Sequence, residues 1–149
     1  MKKHTSRLFI DPASISTGWA LFSGDKLVFH GTIVRTEGDA LDRLASISKA
    51  YEALSAMYLP DEIIIERMNH IVAYQVVWSV GVIAVATRQG SPRAKFAQLS
   101  PQTWQKYLRE LGYARPDFAK LHSCESEDEA TAIAMGLAFT GSLENKNGE

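Results

Sequence analysis

Apolar and polar positions change period several times along the chain, and each change marks an element. Leu8-Phe9-Ile10 is an unbroken apolar run ending on Asp11, the pattern of a short buried strand. Pro12-Ala13-Ser14-Ile15-Ser16 is turn chemistry. Thr17–Phe22 reads as a second strand, and Ser23-Gly24-Asp25 as a hairpin turn into a third over Leu27–Val34. Thr36–Asp39 is a loop with Asp39 placed as a helix N-cap. Leu41, Leu44, Ile47, Tyr51, Leu54 and Tyr58 then recur at helical spacing until Pro60 ends the helix. Glu62–Glu66 is a strand with a wholly apolar centre, which predicts a sheet covered on both faces.

A second helix runs from Ala73 to about Arg88, rich in Val and Ala. Gly81 lies inside it. Glycine costs helix stability, so close packing is the expected reason for its presence. Gly90-Ser91-Pro92 breaks the helix and Lys95–Leu99 is a short strand. Ser100-Pro101 starts a third helix, with Ser as N-cap and Pro in the first turn, and Trp104, Leu108 and Leu111 form its apolar side. Gly112–Cys124 is irregular and basic. The last helix is expected from Glu125 to about Thr140, with Ala130, Ile133, Ala134, Leu137 and Ala138 facing the core and a frayed tail over about 141–149.

The order βββ-α-β-α-β-α-α predicts an α/β fold in one domain over residues 1–149, a mixed five-stranded sheet with helices on both faces. In that topology the first and fourth strands can lie side by side, about 4.8 Å apart. Asp11 and Glu66 would then meet at one edge, and the last helix could bring Asp128 across to them.

With 149 residues, 46% hydrophobic and 22% charged, the chain is long enough for a real core and ordinary in make-up. No apolar run approaches the roughly 20 residues of a membrane span. Met1-Lys2-Lys3-His4-Thr5-Ser6 is too short and polar for a secretory signal. The single cysteine, Cys124, cannot form an internal disulfide, which points to a reducing compartment. Acidic neighbours should raise its pKa and leave it an inert thiol. The net charge of −1 does not advertise a nucleic-acid partner, but its distribution does. From Ala86 to His122 the bases Arg88, Arg93, Lys95, Lys106, Arg109, Arg115 and Lys120 face only the acids Glu110 and Asp117. Positive charge beside an anionic pocket suits an enzyme that cuts a phosphate backbone.

The anionic pocket is the candidate chemistry. Two strands end in carboxylates, Asp11 and Glu66, and Glu125-Ser126-Glu127-Asp128-Glu129 opens the last helix. Burying a bare carboxylate is costly unless something compensates it. Hard divalent cations take oxygen ligands, and a pair of them can clamp a phosphate in an in-line displacement. The pattern therefore points to a metal-dependent phosphodiesterase.

The same residues resemble the RuvC-type Holliday junction resolvases, a branch of the ribonuclease-H-like superfamily, from Leu8 to about Phe139. Phe9-Ile10-Asp11-Pro12-Ala13-Ser14 followed by Thr17-Gly18-Trp19 is similar to the family's Asp-Pro-Gly first strand and Thr-Gly-aromatic second strand. Gly31-Thr32-Ile33 fits the third strand, and Arg43-Leu44 and Pro60-Asp61 leading into Ile64-Ile65-Glu66 match the spacing of the next helix and strand. Gly81 falls where the family has a glycine-containing helix. Asp128-Glu129-Ala130-Thr131-Ala132-Ile133-Ala134 resembles the final motif, an acidic or His residue followed three later by Asp-Ala-aliphatic-Ala. Two positions depart from it. Ala13 replaces a glycine, and Thr131 stands where the family has a second Asp. Either three carboxylates suffice, or Glu125, three residues before Asp128 and expected on the same helix face, supplies the missing one. Glu127 and Glu129 are expected to point elsewhere.

The resemblance implies a Mg²⁺-dependent endonuclease, with Mn²⁺ also supporting activity, that nicks opposed strands of a four-way DNA junction. Asp11, Glu66 and Asp128 would hold the metal, and Glu125 is a fourth candidate. Lys106, Arg109, Arg115 and Lys120 would grip phosphates, and His122 could assist a leaving group or touch phosphate. Met68, Asn69 and His70 would sit at the junction centre, where Met68 or Tyr74 could wedge into unstacked bases. Val76, Val77, Trp78 and Val80 exceed what one buried helix face requires, consistent with the homodimer the family implies. It also implies no membrane partner and a bacterial or phage-infected cytoplasm, in a compact, phage-type member. The alternatives are a nuclease of the same fold for other branched DNA and a binder that retains the fold but cuts poorly. A sugar-kinase or actin-type ATPase shares the strand-end Asp but needs a second half and glycine-rich phosphate loops, which this chain lacks.

Overall fold

A computed structural model of the chain describes residues 3–67, 74–112 and 124–147, with side chains in the last segment described as far as residue 141. The elements are β1 (Ser6–Asp11), β2 (Ser16–Ser23), β3 (Lys26–Val34), α1 (Ala40–Tyr58), β4 (Glu62–Glu66), α2 (Tyr74–Gly90), β5 (Lys95–Leu99), α3 (Pro101–Glu110) and α4 (Glu127–Asn147). They form one five-stranded sheet in the order β3-β2-β1-β4-β5. The first three strands are antiparallel neighbours, joined at β2–β3 by a hairpin turn with Gly24 at positive φ. β1, β4 and β5 run parallel, with Ile10 opposite Ile65. The expected fold class and the pairing of first and fourth strands are both present.

Alternation along the central strands splits the core in two. Phe9, Ala20, Phe22 and Ile64 face α3 and α4, where they pack with Trp104, Leu108, Ile133, Met135 and Ala138. Leu8, Ile10, Leu21, Ile63 and Ile65 face the other way, onto Ile47 and Tyr51 of α1 and Ile83 and Ala86 of α2. The three isoleucines of β4 are thus buried on both faces, which is why that strand has no polar centre. Fully burying one such side chain is worth about 1.5–3 kcal/mol.

The helix caps follow local chemistry. Asp39 accepts from Asp42 N at 2.9 Å, and Asp42 accepts from Asp39 N at 3.2 Å, a capping box that starts α1. Leu59 closes α1 in the left-handed conformation, φ 45°, just before Pro60. Ser100 caps α3 by accepting from Thr103 N.

Three expectations change. The last helix begins at Glu127, not Glu125, because Ser126 is the residue whose hydroxyl accepts from Glu129 N, 3.1 Å away. It also runs to Asn147, past the expected end near Thr140. A Cβ added to Gly141 would crowd Leu111, so this glycine is a site of close packing and not a helix stop. Gly81 is the reverse case. An added Cβ there meets nothing within 4 Å. It lines an open, mostly apolar groove between α1 and α2 with Leu41, Ala45, Val77 and Trp78, so close packing does not explain it. No helix among the described residues is long and apolar enough to cross a membrane.

Candidate active site

β1 ends on Asp11 and β4 on Glu66, both half-buried. Because Ile10 faces Ile65 in parallel register, Asp11 and Glu66 are the next positions along neighbouring strands. Across the antiparallel pair, Asp11 faces Gly18. A Cβ at Gly18 would overlap the backbone of Asp128 and Glu129, so only glycine lets the first turn of α4 come this close to β2. Asp128, half-buried, is thereby carried to the strand pair that holds Asp11. Three elements distant in sequence thus deliver Asp11, Glu66 and Asp128 to one end of the sheet.

Two buried groups fix the strand ends. Thr17, fully buried, donates its hydroxyl proton to the Asp11 carbonyl oxygen at 2.7 Å. With that proton committed, the Tyr51 hydroxyl, 2.7 Å from Thr17 Oγ1, is the donor in the second bond. Burial holds the Tyr51 phenol far above its ordinary range, and the negative charges of Asp11 and Asp128 add to the rise against the opposing Thr17 bond. Both carboxylates therefore act on the same hydroxyl. On the other side, the indole Nε1 of Trp104, in α3 and 1% exposed, donates to Glu66 Oε2 at 2.7 Å. A charge-assisted bond of this kind restrains the carboxylate and part-compensates its burial.

Lys106 and Arg109 project into solvent from α3, the helix whose inward face carries Trp104 and Leu108. Glu125 is exposed and precedes α4, so it does not share a helical face with Asp128. Thr131 is 2% exposed in α4. Met68, Asn69, His70, Arg115, Lys120 and His122 lie outside the described residues. Tyr74, at the start of α2, is 77% exposed.

Glu129, expected to point elsewhere than Asp128, does so by turning into the fold toward β3, where it is 3% exposed. One oxygen lies 2.8 Å from His30 Nδ1, and the other accepts from Glu125 N at 2.7 Å and from Thr32 Oγ1 at 3.3 Å. Thr32 and Ser126 hydroxyls add a 2.8 Å contact. Cys124 lies beside this network, its thiol pushed up to about 11 by burial first and by the Glu129 charge second. The rise expected of it is present, with burial ahead of the acidic neighbour as the cause. Among the described residues, the one set of three His, Cys, Asp or Glu ligand atoms lying within 4.8 Å of one another is His30, Cys124 and Glu129. Asp11, Glu66 and Asp128 share the sheet end without forming so tight a set.

No protein-family model matches the sequence, and no curated protein matches it significantly. Solved structures do. Thermus thermophilus RuvC in complex with a Holliday junction substrate superposes with a TM-score of 0.74 at 16% identity, over 97% of each chain. Thermus thermophilus RuvC alone gives 0.71 at 17% identity, also over 97% of each chain. The yeast mitochondrial Holliday junction resolvase Ydc2 gives 0.68 at 15% identity, over 98% of this chain and 85% of that one. The chain has the fold of these resolvases, the ribonuclease-H-like mixed sheet with helices on both faces.

Proposed function

We propose that the chain is a metal-dependent endodeoxyribonuclease that nicks four-way DNA junctions and acts as a homodimer. The observation that carries this reading is the convergence of Asp11, Glu66 and the first turn of α4 at one sheet end. The reading is supported by a fold shared with a RuvC bound to a junction. The donor set fits a hard cation. Asp11, Glu66 and Asp128 offer only carboxylate oxygens, the ligands that Mg²⁺ and Mn²⁺ take. When bound, such ions supply an activated water and stabilise the leaving oxygen of the scissile phosphate.

The rest falls to the chain itself. Trp104 holds one oxygen of Glu66 in place. The Tyr51–Thr17 pair holds the peptide of Asp11, and Gly18 sets the approach of Asp128. Lys106 and Arg109, exposed on α3, grip backbone phosphates together with Arg115 and Lys120. Met68, Asn69 and His70, which come after Glu66 and Arg67 in the sequence, contact the junction centre. The apolar groove between α1 and α2, with Leu41 68% and Trp78 48% exposed, supports the dimer. A two-fold enzyme suits a pseudo-symmetric junction and yields paired nicks with 5′-phosphate ends.

A second reading, a junction binder that cuts weakly, is favoured by Thr131. It is a buried hydroxyl where the RuvC resemblance has a carboxylate, and it brings no charge to a cation. Incubation with four-way, Y-shaped and plain duplex DNA, in Mg²⁺ and in chelator, separates the readings. Mg²⁺-dependent cutting of the four-way junction ahead of the others is expected. Equal cutting of the Y-shaped substrate assigns a broader branched-DNA nuclease. Tight junction binding without cutting assigns the binder.

A further inference from the structure

His30, Cys124 and Glu129 play no part in the proposed strand cleavage, yet they bring a ring nitrogen, a sulfur and a carboxylate within 4.8 Å of one another. They come from two separate parts of the fold, the edge strand β3 and the entry to α4. Glu129 is held firmly. Its carboxylate, 3% exposed, takes the Glu125 N–H at 2.7 Å, and the Thr32 hydroxyl and His30 Nδ1 lie on it as well. His30 and Cys124 are only half-buried, so an ion from solvent has a route in. The donor set differs in kind from the all-oxygen set of Asp11, Glu66 and Asp128. Nitrogen, sulfur and one carboxylate suit a borderline ion such as Zn²⁺, not Mg²⁺.

The spacing is close to what such an ion needs. Metal–ligand lengths of about 2.0–2.3 Å put tetrahedral ligand atoms roughly 3.3–3.8 Å apart. The observed limit of 4.8 Å leaves a contraction on the order of 1 Å, within reach of side-chain rotation. The 2.8 Å contact of His30 Nδ1 with Glu129 Oε1 means that these two atoms already meet, joined by a proton. A hydrogen-bonded tie between β3 and α4 would need only His30, Thr32, Ser126 and Glu129. Cys124, whose proton the ion would displace to solvent, adds the sulfur ligand that a transition-metal site takes.

We propose that His30, Cys124 and Glu129 bind one divalent ion of the Zn²⁺ class, at a site separate from the carboxylate site, and that this ion fastens the first turn of α4 to β3. Glu129 follows Asp128 directly, so the fastening also steadies Asp128 against Gly18. The proposal does not rest on the nuclease reading, and its test keeps the two apart.

The test uses the full chain, stripped of metal and titrated with Co²⁺ in excess Mg²⁺. One equivalent should develop the visible bands of tetrahedral Co²⁺ with a near-ultraviolet thiolate charge-transfer band, and Zn²⁺ should bleach both. Cys124→Ser should lose the charge-transfer band, and His30→Gln should weaken binding by about tenfold or more. Asp11→Asn should keep the full spectrum, which separates this site from the carboxylate site. Zn²⁺ should raise the melting temperature of the wild type and of Asp11→Asn but not of Cys124→Ser. Circular dichroism of each variant guards against misfolding, and the near-isosteric Cys124→Ser carries the test if His30→Gln does not fold. Co²⁺ binding with no thiolate band overturns the proposal and leaves the cluster a hydrogen-bonded fastener. A Zn²⁺ shift equal in wild type and Cys124→Ser does the same.

Discussion

Trp104→Phe is the sharpest probe of how α3 serves the site. The substitution keeps an aromatic ring in a position 1% exposed and removes the N–H that meets Glu66 Oε2 at 2.7 Å. A hydrogen bond to a charged group contributes about 1.5–3 kcal/mol, and the half-buried Glu66 places this one near the lower figure. The smaller ring also leaves roughly 40 Å³ unfilled, which at ~24 cal/mol per Å³ adds about 1 kcal/mol. The expected loss is about 2.5 kcal/mol, a fall in melting temperature of roughly 5–10 °C for a chain of this size. Urea unfolding without divalent metal reads the stability. A Glu66→Gln background then isolates the bond. A neutral acceptor holds it about half as strongly, so the cost of Trp104→Phe should fall there by about 0.7 kcal/mol. Single-turnover junction cleavage by Trp104→Phe should slow while junction affinity holds. The same cost in both backgrounds, with cleavage at the wild-type rate, would refute the view that Trp104 orients Glu66.

Three further outcomes are expected. Tyr51→Phe should cost about 1–2 kcal/mol by leaving Thr17 Oγ1 without its donor. Because the folded phenol is held above the ordinary value of 10, wild-type stability is intact below that pH. It falls as pH rises through it, since only the unfolded chain ionises there. Urea midpoints across about pH 9 to 11 should show a flatter decline in Tyr51→Phe, by up to about 1.4 kcal/mol per pH unit. Gly18→Ala should displace the first turn of α4 at a cost of about 1–3 kcal/mol or more, and should depress cleavage more than junction affinity. A crystal structure or paired melting and cleavage assays would check it. Lys106→Ala with Arg109→Ala should weaken binding to all junction sequences and flatten the log–log salt dependence by about 0.9 per lost phosphate contact, read by fluorescence anisotropy.

Much of the fold was legible because its signals are local. The apolar run into Asp11, the Asp39 and Ser100 caps and the isoleucine centre of β4 each declare an element within a few residues. The parallel neighbours β1 and β4 followed from connectivity. The sequence does not set the start of α4, because Glu125 and Ser126 are both acceptable helix-start residues, and only the Ser126 hydroxyl on Glu129 N decides between them. Gly81 misled because an open groove and a tight contact leave the same letter in the sequence. What supports the site was illegible for a different reason. Trp104 meets Glu66 across 38 residues and His30 meets Glu129 across 99, and a pair so separated leaves no periodicity to read. Thr17 did carry a signal, as the residue before Gly18 in the Thr-Gly pair. Its role became clear only with Tyr51 opposite it.

Single-turnover cleavage of a labelled four-way junction in Mg²⁺ by wild type, Asp11→Asn and Glu66→Gln decides whether Asp11, Glu66 and Asp128 form the site of a junction-cutting nuclease. The wild type should give paired nicks. Neither variant should give any, with junction binding retained or tighter as the loss of charge relieves repulsion of phosphate. Wild-type cutting by either variant would contradict this site.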